Sequence, residues 1–412
     1  MLLPDRIVWG ISGVSVIVMA SLLTLAAPES SNRLVNAIGG SRIAECAKGS
    51  DFAILPKRPD SGPEEAFGSS VSMSGCTIVA GAPVFDGGAG RAYVFEGDGR
   101  SWRQVAELET PPKTTSGGFG SALSFGASVA VAGQTIVVGA PGTVAQPGRA
   151  FVYAEGKSGW REVAQLRSPD DRPGDNFGAA VAVYGRTIVV GAPLSSSGAG
   201  RAYVFVEAAA GGWRQTAELA EPGAAANDRF GESVDLWSDT VIVGSVPEYK
   251  PGRIYVFTAA SGWRHPVELK DPANGRFDLF GSTIAISGNN VVVGAPVTFG
   301  TGRAFIFTRN AEGWHLAAEL GSSVSKSGNG FGKSVAISDK TIAVGDVSSG
   351  QGGAYVYLQT ANRWSRAARL TYGALNNGFG SSLAVVGQYA VVGAPNQLAD
   401  DGSIYAFSLA SL

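Results

Sequence analysis

Histidine and cysteine are scarce, with two of each in a chain of 412 residues. A closed metal site wants three or four ligands, and no H-E-x-x-H, C-x-x-C or G-x-S-x-G spacing occurs to mark a metal, redox or acyl-transfer centre. Charge is scarce too, at 16% of residues, and neither sign dominates, with 32 basic against 34 acidic side chains. That balance lacks the basic footprint of a nucleic-acid binder. Apolar residues make up 45% of the chain, which excludes intrinsic disorder.

Long hydrophobic runs are also rare, and one stands out. Arg6 precedes an uncharged run from Ile7 to Ala27, long enough to cross a bilayer as a helix. Small residues at Val18 to Ala20 and Thr24 to Ala26 suit a cleaved signal peptide, whereas the full spanning length and Pro28 suit an uncleaved anchor. Residues 1–27 are therefore expected to form a hydrophobic helix, as a signal peptide or a signal-anchor. Either way the bulk of the chain is expected outside the cytoplasm, anchored to the membrane, or secreted or periplasmic after cleavage. Residues 28–49 show no sustained period and read as a linker.

What the chain has in abundance is glycine, 58 residues, beside many Val, Ile and Thr. That combination points to short strands joined by tight turns. Phe-Gly recurs at Phe67, Phe125, Phe177, Phe230, Phe280, Phe331 and Phe379, in steps of 48 to 58 residues. Fourteen residues after each Phe stands a glycine, which opens Gly-Ala-Pro at Gly81, Gly139, Gly191, Gly294 and Gly393, and opens Gly-Ser-Val at Gly244 and Gly-Asp-Val at Gly345. The fixed offset places Phe125 in register and makes Phe119 part of an insertion. In the third unit the alternation resolves into strands at 180–183, 187–190, 200–205 and 213–219. A period of this size with four strands per unit predicts an all-β, seven-bladed propeller over residues 50–412. The seventh unit ends at Leu412 without a fourth strand, so Ala53 to Leu55 is expected to pair with Ile404 to Phe407 and close the ring.

These repeats resemble the FG-GAP repeats of the integrin α-subunit propeller, and more closely the bacterial FG-GAP variety. The resemblance spans about Asp51 to Leu412 and implies a propeller used for recognition, with ligands on the face of the interblade loops. In the integrin pattern a calcium loop often joins the first two strands. Here that connection is a short turn in every unit, such as Tyr184-Gly185-Arg186 and Ser287-Gly288-Asn289, and supplies at most one carboxylate where Ca²⁺ needs six or more oxygens. No metal and no cofactor are expected.

An arginine follows the glycine that opens the third strand at Arg91, Arg149, Arg201, Arg253 and Arg303, replaced by Gly353 and Ser403 in the last two units. Two readings apply to this arc. The arginines tie loops together by bonding an acid or amide two positions before Phe-Gly (Glu65, Asp175, Asp228, Asp278, Asn329 or Asn377), or they recognise a ligand. The insertion from Glu109 to Ser124 is expected to carry Lys113 and Phe119 onto the same face. Cys46 and Cys76, in an exported chain, are expected to form a disulfide between blades seven and one. His265 and His315 read as solvent-facing residues of fourth strands, and Asp170, Asp171 and Asp175 as turn formers. The stretch Gly328 to Ser334 looks like a phosphate loop one residue short, and its Phe331-Gly332 belongs to the repeat. The expected function is a non-catalytic recognition or adhesion propeller, monomeric, that binds an extracellular protein or glycan and no nucleic acid. The alternative is an extracellular enzyme or glycan-processing propeller with a site built from scattered loop residues.

Overall fold

The computed structural model describes residues 52–55, 66–83, 89–99, 101–110, 123–275, 277–297, 301–322, 330–347, 352–361, 363–372, 378–396 and 402–412. They form seven four-stranded antiparallel sheets. Six sheets are built from four consecutive strands, as in blade 3, with Ala180–Tyr184, Thr187–Ala192, Arg201–Glu207 and Trp213–Leu219. The first strands of successive blades touch all the way round, and that of blade 7, Ser382–Val386, returns to that of blade 1, Ser70–Ser74. First strands therefore line the axis and fourth strands form the rim.

This radial order follows from local composition. Second strands such as Thr135–Ala140 are a near-continuous apolar run, buried on both faces between neighbouring blades. Fourth strands such as Gly159–Leu166 alternate exposed and partly buried residues before a buried closing leucine, as an edge strand requires. Seven apolar clusters result, each shared by two adjacent blades and each holding one Phe of a Phe-Gly pair. Phe67 meets Tyr93 edge-on at 5.3 Å, and Phe125 meets Phe151 at the same distance, the geometry that aromatic quadrupoles favour.

The glycines of the repeat mark where one backbone touches the next. A Cβ on Gly139 would lie 2.1 Å from the carbonyl oxygen of Gly178 in the following blade, and one on Gly393 would lie 2.1 Å from that of Gly68. Gly244 and Gly345 keep the same contact, with Gly281 and Gly380, although their units have lost Ala-Pro. The close approach needs only the glycine. The same carbonyl accepts a hydroxyl from the preceding blade at six junctions, for example Ser70 to Gly126 at 2.8 Å and Ser334 to Gly380 at 2.7 Å. At the junction of blades 3 and 4 the hydroxyl position is Ala180.

Ring closure occurs as expected. Phe52–Leu55 pairs with Ser403–Ser408 in the register Ala53 to Ala406 and Leu55 to Ile404. One expectation is corrected: His315 lies in a fourth strand, Gly313–Gly321, but His265 does not. Pro266 has no N–H for the ladder, the fourth strand of blade 4 starts only at Val267, and Trp263 and His265 adopt left-handed backbone at φ 63° and 56°. The hydrophobic run 7–27 and the linker 28–49 lie outside the described residues. Among the described residues no helix is long and apolar enough to cross a membrane.

Candidate ligand face

In an antiparallel sheet the connections after the second and fourth strands emerge at one end, opposite those after the first and third. The loops from strand two to three and the interblade loops thus share one face. The five arginines open their third strands at that end, at Arg91–Gly97, Arg149–Gly156, Arg201–Glu207, Arg253–Thr258 and Arg303–Asn310.

Each of the five is paired with a carboxylate. In blades 1, 3 and 5 the partner is a glutamate of the same blade's fourth strand: Arg91 with Glu107, Arg201 with Glu218 at 3.0 Å, and Arg303 with Glu319 at 3.3 Å. These glutamates are diagonal cross-strand neighbours, the distance over which long side chains meet. In blade 2 the equivalent position is Gln165, and Arg149 turns instead to Asp171 of the interblade loop, bonding both carboxylate oxygens at 2.5 and 3.2 Å. In blade 4, Arg253 reaches Glu221 at 2.8 Å and Asp228 at 3.8 Å, both carboxylates being buried. Glu221 also accepts from Ser245 and from the Tyr255 hydroxyl at 3.0 Å, while Asp228 takes Lys250 at 3.0 Å.

The proposed tie to the acid two before Phe-Gly therefore holds, among the described residues, only for Asp228. Asp278 caps the Phe280 amide instead, at 3.2 Å. The fourth-strand glutamates were missed, although the sequence carries their signal. Glu-Leu closes the strand at Glu107, Glu218, Glu268 and Glu319. Lys113 and Phe119 lie outside the described residues. Cys76 is disulfide-bonded, and Cys46 lies outside the described residues.

Four carboxyls have raised pKa values. Burial pushes Asp278 up to about 6, helped by the neighbouring Asp271 carboxyl. Burial raises Asp175, and raises Glu232 against the pull of Arg229 and Lys333. Asp235 is pushed up to about 7 by burial, although it accepts the amides of Leu236 and of Ile286 in the next blade, each at 2.8 Å. Ser72 makes the equivalent reach to the Val131 amide at 3.1 Å. Asp235 thus continues a device by which one inner strand satisfies the open amides of the next. Asp175 and Asp278 belong to two different interblade loops, while Glu232 and Asp235 share the first strand of blade 4, Phe230–Trp237. Among the described residues no three His, Cys, Asp or Glu side chains are grouped to hold a metal ion.

The same face also exposes apolar side chains. Val144, Leu194 and Tyr249 stand on the loops from strand two to three of blades 2, 3 and 4, and Phe277 and Leu279 on the loop between blades 4 and 5. Tyr249 and Phe277 are 68% and 55% exposed.

Fold and site define a seven-bladed propeller whose five recurring arginines are paired with carboxylates of the same chain. Its residues 58–95, 160–205 and 213–257 match the family model of the FG-GAP repeat, which together with the seven blades is consistent with an FG-GAP repeat protein. Sqt1 from Chaetomium thermophilum shares the architecture, with a TM-score of 0.50 at 14% identity over 88% of this chain and 85% of that one. A candidate 6-phosphogluconolactonase from Bacteroides uniformis does so with a TM-score of 0.51 at 13% identity, over 75% of this chain and 87% of that one. At such identities the likeness is one of fold alone. No curated protein matches the chain.

Proposed function

We propose that this is an exported recognition propeller, held at the membrane or released by its N-terminal segment, that binds a protein or glycan on the interblade-loop face. The observation that carries the reading is the set of exposed apolar residues on that face, Val144, Leu194, Tyr249, Phe277 and Leu279. Exposed apolar side chains on one face suit an interaction site, and the aromatic members suit hot-spot contacts. The arginine arc then acts as scaffold on the same face.

A test is to probe glycan and extracellular-protein arrays with the full chain and with Tyr249→Ser/Phe277→Ser. Loss of the wild-type hits in the variant supports the reading; unchanged hits reject the face. The enzymatic alternative has one observation in its favour, the hydrogen-bonded Asp271 and Asp278 carboxyls in a surface loop. Such a pair can hold and release a proton. Turnover of an array glycan that stops in Asp278→Asn would favour it.

A further inference from the structure

The repeats act as one another's controls, and the rim of blade 6 departs from the rest. The fourth strands of blades 1, 2 and 3 each carry one arginine and one glutamate, whereas that of blade 6, Arg363–Leu370, carries Arg363, Arg366 and Arg369 and no carboxylate. The reversal is centred on a single position. Opposite the first aromatic residue of the third strand stand Glu107, Gln165, Glu218, Glu268 and Glu319 in blades 1 to 5, and Arg369, opposite Tyr355, in blade 6.

The substitution is matched on the neighbouring strand. Blade 6 has Gly353 where five blades have arginine, and a Cβ there would lie 2.9 Å from the Arg369 Nε. The guanidinium has moved from the third strand to the rim. Arg366 and Arg369 lie over the Tyr355 ring at 5.9 and 5.6 Å, which fixes them on one face of the sheet by cation–π attraction. Arg363 pairs with Thr360 in the ladder, placing it on the opposite face. All three are exposed. The strand is the last in its sheet, so its outer backbone groups form an edge able to accept a further strand.

We propose that the rim of blade 6 docks an extended acidic polypeptide segment of a partner protein, added as a fifth strand. Charge complementarity selects an acidic occupant, and the distribution of arginines over both faces selects an extended strand. Its side chains alternate, so carboxylates on one side meet Arg366 and Arg369 and those on the other meet Arg363. A single small anion reaches only one face.

The experiment titrates a fluorescein-labelled oligoglutamate peptide into the full chain and follows anisotropy at low and physiological salt. Arg363→Glu/Arg366→Glu/Arg369→Glu is expected to weaken binding at least about tenfold, a change of about 1.4 kcal/mol, while Arg214→Glu on the rim of blade 3 leaves it unchanged. A backbone N-methylated form of the peptide is expected to bind as poorly to wild type as the parent peptide binds to the triple variant. Arg363→Glu alone, remote from Tyr355, is expected to weaken binding several-fold with an unaltered thermal melt, which separates docking from folding. Unchanged affinity in the triple variant, or an equal loss in Arg214→Glu, overturns the proposal. Full binding of the methylated peptide overturns strand addition, and so does arginine-dependent binding of phosphatidylserine vesicles with no binding of the peptide.

Discussion

Ser382 donates its hydroxyl to the carbonyl of Gly68 at 2.7 Å, across 314 positions of sequence. The same bond joins Ser70 to Gly126 and Ser128 to Gly178 within the chain. The junction where the ring closes is therefore built like the others, although blade 7 itself is completed by pairing Phe52–Leu55 with Ser403–Ser408, two strands that no hairpin connects. A hydroxyl and a glycine carbonyl, brought together by the close approach of two backbones, form the recurring link.

That close approach gives the first prediction. Gly139→Ala drives a methyl group against the Gly178 carbonyl and is expected to cost about 3 kcal/mol, as overpacking does. Gly133→Ala, in a turn at φ 56° with open space around it, is expected to cost only about 1 kcal/mol of backbone strain. Denaturant midpoints of the two variants should differ in that order.

The arginine pairs should separate by burial. Arg253→Met leaves the buried Glu221 and Asp228 carboxylates without their guanidinium, and a loss of about 3 kcal/mol is expected. Arg303 and Glu319 are each about half exposed, and Arg303→Met should change stability by less than about 1 kcal/mol. Thermal unfolding of both variants at one pH checks the contrast.

Asp235 should make stability depend on pH. Its folded pKa of about 7 lies above the ordinary 3.8, so the fold disfavours the carboxylate. The stability this group contributes is fully present below about pH 4 and is lost as pH rises through about 7. Asp235→Asn is expected to flatten that part of the profile, with its largest gain over wild type above pH 7. An equal advantage at pH 4 and pH 8 would count against the assignment.

The bond at Cys76 is proposed to engage Cys46, the chain's other cysteine. Non-reducing peptide mapping of protein purified without reductant should recover the two cysteines in one linked peptide. Recovery of both as free thiols would reject the pairing.

Much of the fold was legible in the sequence because its determinants repeat. Each Phe-Gly is one interblade contact, each following glycine is the surface it touches, and the missing fourth strand of the last unit pointed to residues 53–55. The arginine partners were harder to read. Gln165 in place of glutamate sends Arg149 to Asp171, and the loop acids Glu221 and Asp228 claim Arg253 although Glu268 is available in its own blade. Pro266 shortened a strand whose Trp263 had looked regular.

By itself, then, the sequence determined the number of blades, their strands, and the order in which they pack, since period, alternation and glycine spacing are local properties that recur seven times. Only the tertiary structure decided which carboxylate each arginine meets, and that Asp235, one inner-strand residue among many, is buried so that its charged form is disfavoured. Those outcomes depend on through-space distance and on the loss of water around a group, and neither is written in the spacing of residues along the chain.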